Sequence, residues 1–181
     1  MEERIRKLIK PLIGVAGIVF LACYLIKKPA SLADATSYLG YAISATTILF
    51  LFYEQWVWKL IPWNRPFVFK KQYSGRIEYI FDGVHRTKDI HIEVKQTWHF
   101  VSVQITSDIN KSRSITAEIV NENHGEVLYY TYLTDPTMLS QESNPIQYGT
   151  CRMDLSSTGN TIRGKYWTSQ QTAGDIYWTE E

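Results

Sequence analysis

The side chains best suited to contact a ligand are concentrated between Gln96 and Ala117, QTWHFVSVQITSDINKSRSITA. Read as two extended segments, alternation puts Val101, Val103 and Ile105 on one face, and Ile115, Ala117 and Ile119 on one face with Arg113. An arginine at the inward end of a strand calls for an anion, and its planar fork matches a phosphate through two bonds. Thr106, Ser112 and Ser114 stand beside it, either as further ligand contacts or as the solvated face of two strands. The same alternation groups Gln96 and Trp98 with Ile90, Ile92 and Val94, and Tyr130 and Tyr132 with Leu128; Arg152 falls with Ile146 and Tyr148. Trp98, Tyr130, Tyr132, Tyr166 and Trp178 offer ring faces on which a base could stack, or else simply fill a core. The candidate ligand residues are therefore Gln96, Trp98, Thr106, Ser112, Arg113, Ser114, Tyr130, Tyr132, Arg152 and Tyr166.

Other chemistries lack their residues. His85, His91, His99 and His124 show no metal-ligand spacing. No nucleophile elbow, phosphate loop, Cys-x-x-Cys or paired-carboxylate signature occurs, so neither catalysis nor a metal or cofactor is expected. Cys23 lies in an apolar run and Cys151 far from it in the polar part of the chain, which fits two free thiols in a reducing compartment. Residues 1–66 carry a net charge of +4 and residues 67–181 a net −3. An acidic domain is a poor partner for a nucleic-acid polymer, whose binding depends on neutralising many phosphates, but a local pocket for a small anion is compatible with it.

The elements that must hold these residues begin at Phe67, where the hydrophobic period becomes two. Eight segments follow, near 69–81, 88–97, 99–107, 112–121, 125–133, 146–156, 161–169 and 174–180, separated by turn residues such as Asp82-Gly83. Only the loop from Thr134 to Pro145 is long. Eight short antiparallel strands without a covering helix predict a closed, lipocalin-like up-and-down barrel, a size that just holds one small ligand. Apolar rows ending in Gln, Arg, Trp and Tyr describe a pocket with an apolar floor and a polar, aromatic mouth.

Ahead of the barrel lie two apolar runs. Residues 11–26 contain no charge and as a helix cover ~24 Å; residues 35–53 are also uncharged and cover ~28 Å. With flanking residues they predict transmembrane spans near 8–27 and 35–54, joined by a short polar turn into an antiparallel hairpin that occupies residues 1–66 with its linker. Lysines and arginines crowd both ends of the hairpin and only Lys27 and Lys28 lie in its turn, so both termini and the barrel face the cytosol. A signal sequence cleaved before Cys23 is the rival reading, opposed by Phe20, Leu21 and the second span that follows at once. Tyr53, Trp56, Trp58 and Trp63 form an interfacial belt, and Pro62 and Pro66 end the helix. Gly40, Ser44 and Thr47 share one face of the second span, suited either to self-association or to packing of the hairpin on itself.

Several short motifs recur in this order behind a helical hairpin: Tyr73-Ser74-Gly75, Gln96-Thr97-Trp98, Ser112-Arg113-Ser114-Ile115-Thr116-Ala117, Leu128-Tyr129-Tyr130-Thr131-Tyr132, Tyr148-Gly149-Thr150 and Gly164-Lys165-Tyr166. Over its whole length the chain resembles the two-transmembrane β-barrel effectors associated with bacterial CD-NTases in CBASS antiphage defence. The resemblance implies a barrel that binds a cyclic dinucleotide made on infection by a functionally linked CD-NTase. It also implies ligand-driven homo-oligomerisation, disruption of the inner-membrane bilayer and abortive cell death. A related effector held inactive by its nucleotide is the alternative within this class. A membrane-tethered carrier of a lipid or other small molecule is the alternative outside it.

Overall fold

The computed structural model describes residues 2–61, 66–123, 125–136, 146–155 and 161–180. Pro62, Trp63, His124, residues 137–145 of the predicted long loop and the predicted turn at residues 157–160 lie outside them. The chain divides into two compact units, one of helices together with Thr97–His99, the other of strands.

In the helical unit, α1 (Glu2–Lys27) and α2 (Leu32–Gln55) each contain a stretch long and apolar enough to cross a membrane. Lys28 leaves the helix with φ 41°. Ser31 then caps α2 reciprocally with Asp34, the serine oxygen accepting from the Asp34 amide and the carboxylate accepting from the Ser31 amide. Polar side chains within the apolar stretch are satisfied locally: the Thr46 and Thr47 hydroxyls donate to the carbonyls of Ala42 and Ile43 at 2.7 and 2.9 Å. The buried positions of α2 are Ala42 and Thr46, while Gly40, Ser44 and Thr47 are exposed. The small-residue face is thus not the one on which the hairpin packs. A short 3-10 turn, Val57–Leu60, follows.

The other unit is a closed barrel in which β1 (Gln72–Phe81), β2 (Val84–Gln96), β3 (Val101–Thr106), β4 (Asn110–Glu122), β5 (Gly125–Pro136), β6 (Gln147–Asp154), β7 (Thr161–Thr168) and β8 (Ala173–Glu180) pair in chain order. All eight neighbours are antiparallel, and β8 returns to β1 from Tyr73↔Glu180 to Tyr79↔Gly174, which removes both sheet edges. Asp82 and Gly83, with φ of 51° and 74°, make the two-residue turn between β1 and β2. This turn lets β2 begin at Val84, four residues before the sequence reading starts it.

Inward rows of alternating residues fill one half of the interior. Tyr73, Ile92, Val94, Val103, Leu128, Cys151, Met153 and Trp178 are all buried there. An aromatic column closes that half: ring centroids run from Phe67 to Phe69 at 4.9 Å, to Trp178 at 6.4 Å, and from Trp178 to Tyr73 and Tyr130 at 5.8 and 6.2 Å. Beyond Tyr130 the rings and hydroxyls of Tyr132, Ser112 and Thr134 line the walls, and the barrel opens into a cavity.

Candidate ligand-binding site

The open half is a cavity of about 620 Å³ that reaches solvent between the β1–β2, β3–β4 and β7–β8 turns. Its floor is apolar, formed by Ile77, Ile90, Ile105 and Ile176. Its walls are phenols, hydroxyls and amides: Tyr79, Tyr130, Tyr132 and Tyr166, then Ser112 and Thr134, and Asn110 and Gln147 towards the rim. Ser112 and Thr134 are cross-strand partners with their hydroxyls 2.9 Å apart. Burial raises the phenol pKa values well above the ordinary range at Tyr130 and Tyr132 and to about 12 at Tyr166, and pushes the Cys151 thiol beneath them up to about 12. All four groups are therefore neutral at physiological pH, and the phenols can both donate and accept. Among the described residues the buried Tyr130 hydroxyl meets no oxygen or nitrogen partner, and the weakly bonding Cys151 thiol lies beside it.

The cavity gathers four of the sequence candidates, Ser112, Tyr130, Tyr132 and Tyr166. The other six lie elsewhere. Arg113 projects outward, into a shallow groove with Glu93, Lys95 and Gln104. The cause is a register shift between Ser114 and Thr116: Asn110 and Ser112 face inward before it, Ala117 and Ile119 after it, and Ile115 is left exposed in the bulge. Ser114, beside the bulge, accepts a hydrogen bond from the Val103 amide at 2.9 Å instead of reaching the cavity. Thr106 is outward and exposed, since Val101, Val103 and Ile105 hold the inner row of β3.

Arg152 is also outward, between the inward Cys151 and Met153. Its guanidinium lies 2.6 Å from Glu122 and donates to the Tyr129 hydroxyl at 3.1 Å, while that hydroxyl donates to Glu122 at 2.5 Å. The Tyr129 and Arg152 hydrogen bonds hold the Glu122 carboxyl below its ordinary pKa. Gln96 has inward parity but sits at the closed end, donating to the Phe67 carbonyl at 2.7 Å and accepting from the Phe69 amide at 2.9 Å. Trp98 belongs to the helical unit, 6.1 Å from the Tyr53 ring. Its neighbours Thr97 and His99 approach the Glu54 carboxylate at 3.2 and 2.7 Å.

Sequence reasoning missed Tyr79, Arg86, Lys88, Asn110 and Gln147. The signal for the two cations was present: Arg86 and Lys88 continue the row of Ile90, Ile92 and Val94 at a spacing of two. Starting β2 at residue 88 cut Arg86 from that row and left Lys88 at its very end.

Glycine placement shapes one wall. A side chain at Gly149 would collide with the ring and hydroxyl of Tyr132, so its absence lets Tyr132 lie flat against β6 and keeps the cavity open. This ties the Tyr148-Gly149-Thr150 motif to the tyrosine-rich motif of β5, because Tyr132 and Gly149 are register partners.

A closed eight-stranded barrel with a polar, aromatic cavity, following two apolar helices, defines a small-molecule receptor of the lipocalin-like kind. Comparison with known sequences makes this particular. Residues 69–180 match the family described as Cap15, cyclic dinucleotide receptor domain. The chain is also 32% identical over 182 residues, 97% of each chain, to CD-NTase-associated protein 15 of Staphylococcus schleiferi. The protein belongs to this family.

Proposed function

We propose that the 620 Å³ cavity binds a cyclic dinucleotide and that the protein is the membrane-embedded effector of a CD-NTase-linked antiphage system. The observation that carries this reading is the composition of the cavity, with ring faces and neutral hydrogen-bonding groups within and positive charge at the rim. Family membership supplies the class of ligand. On this reading the helices span the bacterial inner membrane with both termini in the cytosol, where the positive charges flanking the hairpin would hold them. Nucleotide binding promotes self-association, and the assembled helices breach the bilayer. For the nucleotide to act, it must bind the assembled state more tightly than the resting one.

The test is thermal unfolding of the full-length protein in detergent, with cyclic di- and trinucleotides and with fatty acids as controls. A ligand at 100 times its Kd adds about 2.7 kcal/mol of stability, a shift of several degrees for a domain of this size. A shift with one cyclic dinucleotide is the expected result. A shift with fatty acids alone would replace the receptor reading with that of a lipid carrier.

A further inference from the structure

The cavity carries its charge in one place. Among its described lining residues only Arg86 and Lys88 have basic side chains and none has an acidic one, and both stand on the inward row of β2 near the mouth. Same-face neighbours on a strand are about 7 Å apart, a spacing that suits two anionic groups on one compact ring. The Arg86 guanidinium lies over the Phe81 ring, 5.1 Å from its centroid, a contact that orients the group while leaving its in-plane N–H donors available.

Lys88 is half-buried beside Ile77 and Ile90 and makes neither a hydrogen bond nor an ion pair with any described residue. Burial lowers its pKa, opposed only in part by Asp108 in the β3–β4 turn. An ammonium held in this way gains from an anion delivered to it. Deeper in the cavity no described residue carries a charge to set against a phosphate; phenols, hydroxyls and isoleucines line it, and the tyrosine rings there suit planar bases.

We propose that the cyclic dinucleotide binds with its phosphodiester ring at the mouth, against Arg86 and Lys88, and its bases directed inward onto Tyr130, Tyr132 and Tyr166. This orientation rests on the cyclic dinucleotide reading above and adds to it the source of charge recognition, which Arg113 and Arg152 on the outer surface do not supply.

The experiment is calorimetric titration of the full-length protein in detergent with cyclic di-AMP, cyclic di-GMP and cyclic UMP–AMP, at low and high salt. For the tightest of these probes, Arg86→Met and Lys88→Met should each weaken binding about 10- to 100-fold and flatten its salt dependence. Lys88→Arg should restore part of the affinity, which a folding defect would not allow. Tyr166→Phe should weaken binding without altering the salt dependence, and Arg113→Met and Arg152→Met should match the wild type. Wild-type affinity and salt dependence in both cation variants would overturn the orientation while leaving the cyclic dinucleotide reading intact. Failure of the wild type to bind any of the three probes would overturn both.

Discussion

At Gly149 a single hydrogen atom decides the shape of the cavity wall. Gly149→Ala places a methyl group against the Tyr132 ring, which can yield only by swinging into the cavity. The expected cost is about 1–3 kcal/mol of stability, read by thermal unfolding, with ligand affinity reduced by about 10-fold as the ring takes up ligand space. Unchanged affinity would show that the ligand does not touch this wall. The buried phenols and thiol make a second prediction. Their pKa values in the folded protein are raised above the ordinary 10.0 for tyrosine and 9.0 for cysteine, so the unfolded chain ionises first. The stability they contribute is complete below about pH 9 and is lost as pH climbs towards the raised values. Urea midpoints measured from neutral pH upward should fall through that window, and less steeply in Tyr132→Phe; a flat profile would contradict the burial. Tyr130, Tyr132 and Tyr166 were legible as cavity residues because these ring-bearing positions share the phase of the apolar rows, whereas Ser112, out of phase with Ile115, Ala117 and Ile119, is turned inward by the bulge. Arg113 was not, because a single inserted residue lies between it and the core positions that seemed to fix its side.

At the level of elements, alternation and turn chemistry were enough to place eight strands, since each strand has one face that must be buried and each hairpin a turn that must reverse the chain. What they could not show is where a strand changes phase. In β4 the run Ser114-Ile115-Thr116 contains neither glycine nor proline to mark a bulge, and Ile115 reads as a core residue by its type. Its exposure follows from pairing: Ser114 opposes Tyr132 and Thr116 opposes Thr131, so Ile115 has no partner on β5. The same kind of limit applies to Arg152, whose outward position agrees with its parity. Deciding which parity is inward required knowing that Cys151 and Met153 fill the core. Cysteine and methionine are soft, adaptable core residues, and a Tyr-Gly-Thr-Cys-Arg-Met-Asp strand, with Tyr148 and Arg152 on one face and Cys151 and Met153 on the other, gives no strong hydrophobic signal in either phase.

For the molecule as a whole, the proposed function requires that a signal received in a barrel become an event among helices, and the sequence leaves open which helix surface would take part. The hairpin buries Ala42 and Thr46, while Gly40, Ser44 and Thr47 remain exposed, and a side chain built at Gly40 meets no other atom within 4 Å. A bulky residue there is therefore harmless to the isolated hairpin and obstructive only where another helix approaches closely. We expect Gly40→Leu to leave barrel stability and cyclic dinucleotide affinity at wild-type values and to abolish both ligand-dependent assembly, followed by crosslinking in membranes, and toxicity to the producing cell. The selectivity of the change is what makes it informative. A variant that binds, assembles and kills as the wild type does would mean that assembly uses another surface. One that binds and assembles without killing would assign this face to the breach of the bilayer rather than to association, because the same substitution would then have separated the two.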